Sequence, residues 1–132
     1  MKRKIEFRGK KQRDNSWIYG LLMNDTYGHY RIQFDANQFS QVVIPETVGQ
    51  FTGLRDKNGI DIYEGDILKI KETPFQIGGL HQVIFYEDRY LTYSILYNDI
   101  DQANKHPLLY QIEYADAHVI GNIYDNPELL NK

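Results

Sequence analysis

The sequence predicts a mainly β protein: a small bent β-barrel or sandwich of short antiparallel strands with at most one or two short helical turns. Three observations carry this. Apolar residues recur with period two, short runs of them are separated by Gly, Asn, Asp and Pro corners, and no amphipathic stretch reaches the ~12 residues of an ordinary helix. Strands this short must hide their edges, which favours a barrel or a strongly bent sandwich over an open sheet.

Taken in order, Lys4-Ile5-Glu6-Phe7-Arg8 alternates, setting Ile5 and Phe7 on one face and Lys4, Glu6 and Arg8 on the other. Trp17-Ile18-Tyr19-Gly20-Leu21-Leu22-Met23 is dense in strand formers and follows the turn-forming Gln12–Ser16. A first hairpin therefore joins about Ile5–Lys10 to Trp17–Met23. Tyr30–Phe34 alternates next, Asp35–Ser40 is a loop or a single helical turn, and Gln41–Ile44 is a strand closed by Pro45. Gln50–Leu54 and Ile60–Tyr63 flank Asp56-Lys57-Asn58-Gly59, which suits a type I turn followed by a left-handed residue. Asp56 accepts from the backbone ahead of it and Gly59 takes positive φ without steric cost. Glu64-Gly65-Asp66 is a second turn launching Ile67–Lys71, with Asp66 capping backbone N–H groups. Gln82–Tyr86 and Tyr90–Tyr97 are strands around Glu87-Asp88-Arg89, residues 98–107 are polar and irregular, and Leu108–Tyr114 and His118–Tyr124 are the last strand candidates. Asn126-Pro127 opens a turn or short helix, with Asn126 as N-cap and Pro127 at the first helical position, folding Leu129 and Leu130 back onto the wall.

With 132 residues the chain suits one domain spanning residues 1–132. Its 42% hydrophobic and 25% charged content is that of an ordinary globule. Zero cysteine excludes disulfides, cysteine-ligated zinc, iron–sulfur clusters and thiol catalysis. No stretch approaches the ~18 apolar residues of a membrane helix, and Met1-Lys2-Arg3-Lys4 leads into no apolar signal core, so a cytoplasmic location is expected.

Chemistry-bearing patterns are sparse. His29, His81, His106 and His118 stand far apart, with no paired ligand spacing; a metal site would have to assemble in space from His81, His118 and an acid. Asp61, Glu64 and Asp66, and again Asp99 and Asp101, lack any local sign of the desolvating pocket a catalytic carboxylate pair needs. No nucleophile elbow, phosphate-cradling loop or dinucleotide fingerprint occurs, and Gly78-Gly79 reads as loop punctuation. The expectation is a non-enzyme with no catalytic residue, metal ligand or cofactor.

Two stretches stand out from Thr47 onward, Thr47-Val48-Gly49-Gln50-Phe51-Thr52-Gly53-Leu54-Arg55-Asp56-Lys57-Asn58-Gly59 and Ile62-Tyr63-Glu64-Gly65-Asp66-Ile67. In these words the chain resembles the YopX family of phage and prophage proteins. The ending Val119-Ile120-Gly121-Asn122-Ile123-Tyr124-Asp125-Asn126-Pro127-Glu128-Leu129-Leu130 is similar to that family's last motif, and Ile5-Glu6-Phe7-Arg8 with Trp17-Ile18-Tyr19-Gly20 matches at the start. The likeness spans residues 3 to 130 and is weakest over 72–117. It implies a small, mainly β protein encoded by phages or prophages, located in the bacterial host's cytoplasm, with no assigned activity and no catalytic residues to carry over. The matched words are turn residues and core aliphatics, and a shared fold does not name a reaction.

Two functional readings remain. Residues 1–13 hold seven Lys or Arg against Glu6, a local +6, whereas residues 14–96 sum to -5 and residues 97–132 to -4. Lys2, Lys4, Arg8, Lys10, Lys11 and Arg13, with Trp17 and Tyr19 following, offer cations and stacking faces for single-stranded nucleic acid. Against this, the pI of about 5.8 is acidic, most tyrosines sit in alternating strands where packing is the commoner role, and lysines along an edge strand also guard against pairing. The favoured reading is an interaction or assembly module with protein partners, self or otherwise, including homo-oligomers. Tyr86, Tyr90, Tyr93, Tyr97, Tyr110 and Tyr114 give one tyrosine-dense region, and the two chain ends carry opposite charge. Membrane binding lacks a basic amphipathic helix.

Overall fold

The period of two is realised, among the described residues, as ten short strands, antiparallel wherever their register is defined. The computed structural model describes residues 4–35, 39–72, 74, 78–86, 92–96, 107–109, 112 and 116–130. It falls into two compact units, Met1–Gly53 and Leu54–Lys132, each with its own core, where no composition shift marks a boundary.

The first unit holds β1 (Phe7–Lys10), β2 (Trp17–Asn24), β3 (Tyr30–Gln33), β4 (Gln41–Val42) and the start of β5 (Gly49–Arg55), in the order β4-β3-β2-β1-β5. β1 is thus central. Phe7 lies opposite Gly20 and Lys10 opposite Trp17 on one side, while Arg8 lies opposite Gly49 on the other. Its Lys10 therefore does not guard an edge. After β4 the chain returns to the end of β1 through one bridge, Lys11 to Val43, supported by Gln12 N–H to Val42 O (3.0 Å) and Ile44 N–H to Lys10 O (2.9 Å). Thr47, at the end of the 3-10 turn Pro45–Thr47, donates its hydroxyl to Ile44 O (2.7 Å) and accepts from Lys10 N–H (2.9 Å). Ile18, Ile32 and Val43 form the core, with Phe7, Leu22 and Val48 packed against them. Gly20 is where β2 changes partner from β1 to β3. A Cβ there would lie 1.9 Å from the Gln33 carbonyl oxygen, and φ is +156°, so only glycine admits this close approach.

In the second unit β5 runs into the predicted turn and then β6 (Asp61–Tyr63), β7 (Asp66–Ile70), β8 (Gly79–Tyr86), β9 (Thr92–Leu96) and β10 (Ala117–Asn122). Gly59 has φ +82°, and its N–H donates to Asp56 O at 3.0 Å, as the turn demands. The sheet order is β10-β7-β8-β9, so β7 is central and reads Ile-Leu-x-Ile, apolar on both faces. Ile62, Leu68, Ile70, Val83, Ile95, Leu108 and Ala117 make the core, joined by Leu54, Tyr93, Ile112 and Val119. Phe85 and Tyr93 meet with ring centroids 5.0 Å apart.

One expectation changes. Leu108, Leu109 and Ile112 are helical rather than part of a strand over Leu108–Tyr114. Leu108 is fully buried and Ile112 packs on the same core, a spacing of four that places both on one helical face; in so short an apolar run the two periods look alike. Neither sheet closes as a barrel among the described residues. The fold is mainly β and antiparallel, and no helix among those residues is long and apolar enough to cross a membrane.

Candidate functional site: the cation and aromatic face of the first unit

Consecutive residues of a strand face opposite ways, so the residues of β1 and β2 that turn away from Ile18 and Ile32 are Arg8, Lys10, Trp17 and Tyr19. Register sets Arg8 opposite Tyr19 and Lys10 opposite Trp17. The Arg8 guanidinium carbon lies 4.7 Å from the Trp17 ring centroid and the Lys10 Nζ lies 5.5 Å from it. Lys4 Nζ sits 5.3 Å over Phe51 and 3.1 Å from Glu6 Oε2. Such contacts contribute about 0.5–2 kcal/mol each, the more when desolvated.

Of the residues proposed from sequence to meet nucleic acid, the structure brings together Arg8, Lys10 and Trp17. Arg8 is only 5% exposed, so the solvent-facing position expected for it is corrected: the Trp17 ring lies against it, and an arginine beside an indole buries its stem and its plane together. Lys4 stands apart on Phe51, Lys11 is half-buried at the Val43 bridge, Arg13 is exposed in the hairpin turn, and Lys2 lies outside the described residues.

A second grouping, which no motif in the sequence marks, gathers around Asp25 and Arg31. Asp25 Oδ1 accepts from the N–H groups of Tyr27 and His29, each at 2.9 Å. Its Oδ2 lies 3.2 Å from His29 Nδ1 and 3.4 Å from Arg31 Nη1. These contacts, the His29 backbone N–H above all, hold the Asp25 carboxyl below the ordinary carboxylate value. Arg31 also donates from Nε to Ser40 Oγ (2.8 Å) and from Nη2 to Ser40 O (3.1 Å). It borders a depression of about 340 Å³ lined by Gln12, Arg13, Arg31, Gln41 and Val42. A third feature is apolar. Leu21 is 59% and Phe34 65% exposed, beside Tyr19, where the Phe34 backbone crosses Gly20.

The remaining candidates act structurally. Asp66 is buried and accepts from Tyr63 N–H at 2.8 Å, as expected. Asp61 pairs with Arg55 Nε at 2.8 Å. His81 lies opposite Leu68 and His118 opposite Lys69, neighbours on β7, so the two imidazoles take opposite faces of the sheet and do not converge. His106, Asp99 and Asp101 lie outside the described residues, as do Tyr90, Tyr97, Tyr110 and Tyr114. No group of three or more His, Cys, Asp or Glu side chains among the described residues has the geometry of a metal site.

Residues 6–131 match the family model described as YopX protein. The chain belongs to the YopX family. No curated protein matches it. Among solved structures, protein EF1440 from Enterococcus faecalis is similar over 98% of this chain and 99% of its own, at 22% identity and a TM-score of 0.60, which is a likeness of fold. The words that mark this YopX chain are its corners. Asp56, 5% exposed, accepts from Asn58 and Ile60 N–H through Oδ1 (both 2.9 Å) and from Val119 N–H through Oδ2 (3.0 Å). Asn122 Oδ1 accepts from Tyr124 and Asp125 N–H. Asn126 turns its Oδ1 back to Asn122 N–H (3.2 Å), serving the end of β10 rather than the 3-10 turn Pro127–Leu130.

Proposed function

We propose that this YopX protein is a non-enzymatic protein-interaction module of the phage or prophage setting that the family resemblance implies. The contact surface is the apolar patch around Gly20. The observation that carries this reading is the exposure of Leu21 on β2 and of Phe34 just past the end of β3, two large apolar side chains flanking the point where the Phe34 backbone crosses Gly20, with Tyr19 next to Gly20 on β2. Apolar patches with an aromatic rim mark protein contacts more often than chemistry. Self-association is the first partner to test, since a patch of this kind self-complements across a two-fold axis.

Light scattering coupled to size exclusion, run over a wide concentration range, should give a mass that rises with concentration for the wild type and stays monomeric for Leu21→Glu. A wild-type monomer throughout excludes self-association. If captured phage or host proteins then bind Leu21→Glu as well as wild type, the patch is not the surface.

Nucleic-acid binding stands second. It is favoured by the local +6 of residues 1–13 and disfavoured by Trp17, whose ring is engaged by the chain's own cations. Anisotropy with a labelled single strand at low salt tests it: binding that falls steeply with salt, and is lost in Lys4→Glu with Arg13→Glu, would promote it.

A further inference from the structure

We propose that the depression between Arg13 and Arg31 binds a small phosphate ester. Arg31 offers five N–H donors in a plane, and its three bonds to Ser40 and Asp25 fix that plane while leaving two donors for a ligand. A guanidinium held in place before binding loses little entropy when it grips a phosphate, and phosphate matches its fork. Arg13 stands across the depression from a different strand end. It is exposed and has no ion pair or hydrogen bond among the described residues, so its charge is available. Gln12 and Gln41 add amide donors and acceptors suited to ester hydroxyls, Val42 adds an apolar side, and no carboxylate is among the described lining residues, Asp25 meeting Arg31 through Nη1 alone. A volume of about 340 Å³ lies at the small end of ligand sites, large enough for a phosphorylated sugar and too small for a folded partner. The site is independent of the apolar patch around Gly20.

Amide chemical-shift titration with inorganic phosphate and with ribose 5-phosphate tests the assignment on the full chain. Saturable shifts confined to Gln12, Arg13, Arg31, Gln41 and Val42 are expected, with the ester tighter than phosphate. Arg13→Gln, an exposed change that leaves the fold intact, should weaken the ester at least about tenfold, the effect of one lost charge-assisted contact. Arg31→Lys should weaken it as well, by keeping the charge and losing the fork. Shifts that never saturate, or an affinity unchanged in Arg13→Gln, overturn the proposal. So does an oligonucleotide that binds the same residues far more tightly than the ester with a steep salt dependence, since the site would then hold a nucleic-acid backbone.

Discussion

The two units use their polar side chains in opposite ways. In the second, buried acids and amides are consumed by the backbone: Asp56 serves three N–H groups, Asp66 serves Tyr63, and Asn122 and Asn126 serve the end of β10. In the first, cations and aromatics lie on sheet faces and in a depression, Arg8 and Lys10 against Trp17, Arg31 beside Arg13. The difference separates a part whose acids and amides chiefly hold corners from a part whose cations gather against a ring and around a depression. Function is the better sought on the latter, although most of the family's recognisable words lie in the former.

The comparison is tested most strongly at the cores. Leu68 is fully buried in a core of seven residues, whereas Ile32, equally buried, anchors a core of three. Leu68→Ala should cost about 2–5 kcal/mol, cavity included, read as lost amide-exchange protection across β7. Ile32→Ala should fall at the lower end of that range because a thinner core relaxes more readily, read by the fluorescence of Trp17, the sole tryptophan. Equal costs would erase the contrast between the cores.

Next in size is the corner at Asp56. Asp56→Ala leaves three backbone donors without their acceptor, at about 2–4 kcal/mol for a site this buried, measured by urea denaturation. Asp56→Asn, which keeps an acceptor of the same shape, should recover part of it. A cost below about 0.5 kcal/mol, the level of an ordinary surface change, would mean that the family's turn residues are not structural.

Most of these elements were legible beforehand because the signals are local. Period two located the strands, and Asp56-Lys57-Asn58-Gly59 announced both its turn and the role of Asp56. What failed was non-local. The helical turn at Leu108 and Ile112 needs to be told from a strand by which core it meets. Arg8 looked solvent-facing because alternation assumes one wet face, whereas the Trp17 ring of the neighbouring strand lies against it. The depression at Arg31 depends on β3 lying opposite β4, with the Arg13 turn brought alongside by the Lys11–Val43 bridge, a closure that no spacing encodes.

Carboxyls held below their ordinary value occur in both units, Asp14 and Asp25 in the first and Asp116 in the second, which gives a smaller, pH-dependent test. Asp25 is lowered chiefly by the His29 backbone N–H and Asp116 chiefly by its bond to Lys57, both from an ordinary 3.8. A group whose folded value lies below its unfolded one stabilises fully above the unfolded value, and that contribution disappears as pH falls through the folded value. Urea midpoints should therefore be insensitive to these groups above about pH 5 and decline as pH drops below 3.8. Asp116→Asn should flatten the decline for the second unit and leave Trp17's transition as it was. A midpoint that rises on acidification would reverse the assignment.

The smallest effect bears most directly on function. If Trp17's ring is engaged from within, Lys10 and Trp17 must be coupled: a double-mutant cycle of Lys10→Gln and Trp17→Leu, followed by far-ultraviolet circular dichroism, should give about 0.5–1 kcal/mol. The Arg8 cycle should give more, because its plane is nearer the ring and only 5% exposed. Coupling indistinguishable from zero at Lys10 would mean that the indole face is open to solvent beside a lysine, which is the arrangement a stacked base requires. The displayed side chains of the first unit would then be a nucleic-acid surface, and the preference for a protein partner would reverse.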